Sequence, residues 1–83
     1  MKQGARIQAA IEVLTDILER HRPAATALAD WGKAHRFAGS SDRSAIGNLV
    51  FDALRRKLSY AHRMGADTPR ALALAAASTA LGI

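Results

Sequence analysis

Between Ser40 and Lys57 the apolar residues Ile46, Leu49, Val50, Ala53 and Leu54 recur three and four apart. That spacing gathers them on one face of an α-helix and would scatter them over both faces of a strand. The segment opens on a helix-start signal: Ser40 or Ser41 can accept from the free amides of a first turn, and Asp42 suits the positive helix end. Phe51, Leu58 and Tyr60 add further apolar surface, so well over half of the circumference is apolar. A helix of that kind packs on more than one side. The pattern therefore predicts a central helix over residues 42 to about 63, ending at Gly65, the usual left-handed stop.

The rest of the chain supplies helices to surround it. Ile7, Ala10, Ile11, Leu14, Ile17 and Leu18 form one face of a first helix over residues 4–20, with Glu12, Asp16, Glu19 and Arg20 on the wet side. Asp16 and Arg20 are placed for an i,i+4 pair, and Pro23 ends the helix before it. A second helix starts with Pro23 in its first turn, runs to about residue 35 and buries Ala27, Leu28, Trp31 and Ala34. Trp31 is in register with Leu28 and reads as a core plug, with base stacking as the competing role. Phe37, just ahead of the cap, is placed to pack on the central helix as a hydrophobic staple. Thr68 and Pro69 start a last helix over residues 70–81, apolar nearly all the way round. Such a helix is either buried on every side or missing neighbours. We expect the natural chain to continue beyond it, and Leu72, Leu74 and Leu81 to offer a surface for self-association.

Nineteen of the 83 residues are alanine, which favours helix, and little in the chain favours strand. The expected class is all-α: a single domain over residues 1–83, about four helices, with a small core. The chain has no cysteine, so neither disulfides nor thiolate chemistry are available to it. There is no apolar run long enough to span a bilayer and no signal-peptide pattern at the N-terminus, so a cytoplasmic location is expected. His21, His35 and His62 lack metal-ligand spacing, the six glycines form no nucleotide-cradling cluster, and no nucleophile stands beside a base. No catalytic residue, metal site or cofactor site is expected within these residues.

The charge is more informative. Residues 1–30 balance four cations with four acids, whereas residues 31–83 carry eight cations and three acids. The whole net charge of +5 therefore sits in the second part, which points to a polyanionic partner, with a soluble basic surface as the equally open alternative. On a continuous central helix Asn48, Asp52, Arg55, Arg56, Ser59 and Arg63 share one polar face. Guanidinium groups match two phosphate oxygens at once. The competing reading is a solvated face with Asp52 paired to Arg55 or Arg56. Arg36 and Arg43 flank the opposite end, where Arg43 either meets a phosphate or braces the loop.

The residues Phe37-Ala-Gly-Ser-Ser-Asp-Arg43, followed by Leu49-Val50 and Leu54-Arg55-Arg56, carry a family resemblance. They resemble the N-terminal NusB-like helical domain of the RsmB/NOP family of ribosomal RNA cytosine-5 methyltransferases. In that family a loop ending FAGS-x-DR starts a central helix that runs into L-V-x-x-x-L-R-R. The likeness is strongest over residues 36–58, weaker over 5–22, and only compatible over 68–81. It implies a NusB-like bundle truncated at its C-terminal end, taken from an enzyme that methylates small-subunit ribosomal RNA with S-adenosylmethionine. The implied partners are that RNA and the catalytic domain of the same protein, absent here together with its cofactor loop and cysteine pair. Arg36, Arg43, Arg55, Arg56, Lys57 and Arg63 are the expected contacts, positioning RNA through phosphate and sugar without reading sequence. The alternatives are a free-standing NusB-like antitermination factor and a helical protein-interaction module.

Overall fold

In a computed structural model, which describes residues 1–82, small side chains decide how closely the helices approach. The element order is α1 (Gln3–Glu19), α2 (Ala24–Ala34), α3 (Ser40–Arg55), α4 (Lys57–Met64) and α5 (Pro69–Ala80), with no strand among the described residues. Helices α1, α3 and α5 pack pairwise on one another, α2 lies mainly on α1, and α4 lies mainly on α5. Their facing residues form one contiguous core: Ala9, Ala10, Val13 and Leu14 from α1, Ile46, Leu49, Val50 and Ala53 from α3, and Leu72, Ala73, Ala75, Ala76 and Ala77 from α5. Leu14, Ile46, Leu72, Val13 and Val50 are the largest fully buried side chains. The alanines let the backbones come close enough for those few larger groups to fill the space between them. The fold is a small all-α bundle.

Two of the expected stops and starts are present. Gly65 ends α4 with φ 71°, and the Thr68 hydroxyl accepts from the Ala71 amide at 3.2 Å with Pro69 opening α5. The Asp16–Arg20 pair forms at 3.7 Å, but Asp16 is held more closely by Arg22 at 2.7 Å. Arg22 also bonds Asp30, which fastens the end of α1 to α2.

Five features differ from the sequence expectation. The central helix breaks at Arg56 (φ −111°, ψ 26°), so there are five helices in place of about four. The break turns Tyr60 inward to 3% exposure, against α5, and leaves Leu58 outside at 86%. The N-cap of α3 is Gly39, one residue earlier than expected, with Ser40 and Ser41 already helical; Asp42 accepts from the Gly39 amide at 3.3 Å. Phe37 is 75% exposed and is no staple; Ala38 is the loop residue that is buried. Leu72 is wholly buried, so only Leu74 and Leu81 of the three leucines reach the surface of α5. Finally, Pro23 is the N-cap of α2, Ala34 is exposed, and Trp31 is only half-buried, closing the α1–α2 seam while its Nε1 donates to Glu12 at 3.2 Å. No helix among the described residues is long and apolar enough to cross a membrane.

Candidate nucleic-acid interface

Two arginines at the end of α3, Arg55 and Arg56, are organised by one carboxylate. Asp52 stands one turn before the break and accepts from Arg55 Nη2 at 2.9 Å, from the Tyr60 hydroxyl at 2.5 Å, and from Arg56 Nε in a looser pair at 3.4 Å. The first and last of these are the i,i+3 and i,i+4 neighbours that a helix brings together; Tyr60 arrives only because the chain bends at Arg56. The Tyr60 hydroxyl also lies 3.0 Å from Thr79 Oγ1 on α5, and the guanidinium of Arg63 sits over the Tyr60 ring, 5.1 Å from its centroid. Partial burial of Asp52 favours its neutral form, yet the Tyr60 bond and the two arginines outweigh that and hold its carboxyl below the usual range. Asp52 is therefore anionic at neutral pH and neutralises about one of the four cations Arg55, Arg56, Lys57 and Arg63. The cluster stays formally at +3.

Beside it a groove of about 620 Å³ opens between the start of α1, the middle of α3 and the end of α5. Asn48, Asp52 and Arg55 form part of its polar lining, and Phe51, Ala76 and Leu81 part of its apolar lining. The polar stripe is thus the edge of a concavity.

At the other end of α3 the ion pairs are structural. Asp42 is 8% exposed and accepts from Arg6 Nε at 2.9 Å, with the Met1 ammonium at 3.3 Å. The Arg6 bond lowers its pKa most; burial opposes this, and the ammonium and the Gly39 amide add to the lowering. Arg43 donates from Nε to the Ala38 carbonyl and from Nη2 to the Gly32 carbonyl, each at 3.0 Å. It braces the α2–α3 loop, the structural role set beside the expected phosphate contact. Gly32 makes room: a Cβ there would lie 2.5 Å from Arg43 Nη1.

Of the six expected contacts, Arg55 and Arg56 meet at Asp52 beside the α3–α4 break, Lys57 opens α4, and Arg63 lies near the end of α4 over the Tyr60 ring. Arg36 is exposed and makes no hydrogen bond or ion pair among the described residues. Arg43 and Arg55 are twelve residues apart on one helix, about 18 Å along its axis, so the two ends do not meet a single phosphate together. Sequence reasoning missed Tyr60 as a partner of Asp52, and Thr79 as the group that meets the Tyr60 hydroxyl from α5. Only the i,i+3 and i,i+4 signal was available there, and it reports Arg55 and Arg56 alone. The glycines serve helices: Gly39 caps α3, Gly65 ends α4, Gly4, Gly32 and Gly47 lie within α1, α2 and α3, and Gly82 follows α5. Comparison of the chain with protein-family models, curated proteins and solved structures finds no match.

Proposed function

We propose that this chain is an RNA-associated, NusB-like domain from the front of an RsmB/NOP-type cytosine-5 methyltransferase. On this reading it holds ribosomal RNA by its phosphate backbone while a catalytic domain of the parent protein transfers the methyl group. The support from sequence is the Phe37–Arg43 and Leu49–Arg56 motif. The single structural observation that favours an RNA role is the junction cluster, where Arg55 and Arg56 share one carboxylate, Lys57 and Arg63 follow on α4, and the group retains a net positive charge. S-adenosylmethionine chemistry would belong to the parent's catalytic domain, because the scattered glycines and the absence of cysteine fit no methyl-transfer site in these residues. Arg55, Arg56, Lys57 and Arg63 would touch phosphates, and Arg43 would position the loop.

A second reading, a protein-interaction module, draws on the groove beside the cluster, where Phe51 is 52% exposed and Leu81 56% exposed. The double variant Arg55→Ala with Arg56→Ala separates the two. Both side chains are largely exposed, so the fold should survive. Binding to a structured RNA should weaken by a similar factor for unrelated sequences, and the logarithmic salt slope should flatten by up to about two units. A folded double variant with unchanged affinity and slope would leave the cluster as an ordinary solvated surface.

A further inference from the structure

The turn between α2 and α3 carries an aromatic ladder that starts on Trp31 at the edge of the core and runs outward through His35 to Phe37. The rings of Trp31 and His35 are stacked, 4.1 Å between centroids and 9° from parallel. Phe37 meets His35 edge-on at 5.9 Å and 69°. The ladder is held rigidly at its base: the His35 amide donates to the Trp31 carbonyl at 3.0 Å, and His35 Nδ1 lies 2.8 Å from that same oxygen. It is also held at its tip. The Ala38 amide donates to the His35 carbonyl at 3.1 Å, Ala38 is buried, and its carbonyl is gripped by Arg43. Phe37 is therefore presented to solvent at 75% exposure from a fixed turn, with apolar burial available to Ala38 and not to it.

Two cations and two acids stand around the ladder, with Glu12 bonded to Trp31 and Asp30 close to Lys33, so Arg36 at the outer end supplies the uncompensated positive charge. Lys33 and Arg36 are both exposed, one on either side of His35 in sequence, and Arg36 has no partner among the described residues. An exposed aromatic on a hydrogen-bonded turn, with cations nearby, is the arrangement by which proteins stack unpaired bases, since every base has a π-face and brings a phosphate with it. Duplex RNA hides its base faces and offers this turn nothing but charge.

We propose that the α2–α3 turn is a stacking platform for an unpaired nucleobase, which lies on Phe37 with its phosphate neutralised by Arg36 and Lys33. This rests on the RNA-binding reading above and adds to it a single-stranded element: the junction cluster holds backbone, and the turn takes a base from a loop or strand end. Arg43 is a positioning residue for the platform, because it fixes the carbonyl next to Phe37.

The test uses the whole chain and two labelled ten-nucleotide probes, oligoadenylate and an abasic ribose-phosphate strand of the same length, with binding read by fluorescence anisotropy. Phe37→Ala should weaken oligoadenylate binding about 5- to 150-fold, the range for losing one base–aromatic stack. It should leave abasic binding nearly unchanged, and Phe37→Trp should restore the oligoadenylate affinity. Because Phe37 is exposed, the thermal melt should not move. Equal affinity of Phe37→Ala and the parent for oligoadenylate, or an equal loss on both probes, overturns the platform. If the parent binds an RNA hairpin but not oligoadenylate, the platform falls and the backbone-binding reading stands; if it binds neither, both fall.

Discussion

Replacing Asp52 by Asn should move stability and RNA affinity in opposite directions. Asn keeps an acceptor for the Tyr60 hydroxyl but removes the charge that holds Arg55 and Arg56. Those side chains are 71% and 49% exposed, so each ion pair lies toward the lower part of the surface range of about 0.2–1 kcal/mol. Turning the 2.5 Å charge-assisted Tyr60 bond into a neutral one costs about 1 kcal/mol more. The hydroxyl is not orphaned, because Thr79 Oγ1 remains 3.0 Å away. The total, about 1–2 kcal/mol, corresponds to a drop of about 5–15 °C in melting temperature for a chain of this size. The folded pKa of Asp52 is lowered, so its stabilising contribution is complete above the unfolded value near 3.9 and is lost as pH falls through the folded value. The melting gap between parent and variant should therefore be full at pH 7 and should close in acid. Asp42 and Asp30, also lowered, titrate in both proteins and cancel in the difference. Meanwhile the formal charge of the junction rises from +3 to +4, so RNA should bind more tightly, with a salt slope steeper by up to about 0.9. Circular dichroism melts at the two pH values and anisotropy titrations check both halves. A variant that melts like the parent would show that the hub contributes nothing. A folded variant that binds RNA more weakly would show that Asp52 orients the arginines for their ligand and does not compete with it.

Further tests address the fold. Leu72→Ala removes a wholly buried side chain and should cost about 2–5 kcal/mol, against a total stability of about 4–12 kcal/mol, so denaturant titration should show a large loss. Gly65→Ala puts a side chain on a residue with φ 71° and should cost about 1 kcal/mol, a melt lower by about 4–8 °C. Gly32→Ala improves helix propensity by about 1 kcal/mol but displaces Arg43, so the melt should change little while amide-exchange protection falls at Ala38.

What the sequence revealed, and what it hid, divides along the reach of the interactions. Ile46, Leu49, Val50 and Ala53 announced a buried helical face, and Thr68, Pro69 and Gly65 announced a start and a stop, because each acts within one or two turns of its own helix. The break at Arg56 carries no proline or glycine. Its evident gain is the burial of Tyr60 and its reach to Thr79, nineteen residues away, which no local pattern encodes. The same holds for Phe37, whose exposure follows from Arg43 holding Ala38 inward. In α5 the alanines bury on nearly every side, so they gave no periodicity from which to tell that Leu72 faces in and Leu74 out. At the site, the Asp52–Arg55 and Asp52–Arg56 pairs were legible at i,i+3 and i,i+4, while Arg63 joined them through the Tyr60 ring only once the helix had bent.

The most direct measurement is the salt dependence of binding between the unaltered chain and an RNA hairpin, from about 50 to 200 mM monovalent salt. Contacts from Arg55, Arg56, Lys57 and Arg63 to two to four phosphates predict that log K falls against log salt with a slope between about −2 and −4. A slope near zero, or no saturable binding at the lowest salt, would contradict the assignment of this basic junction to RNA.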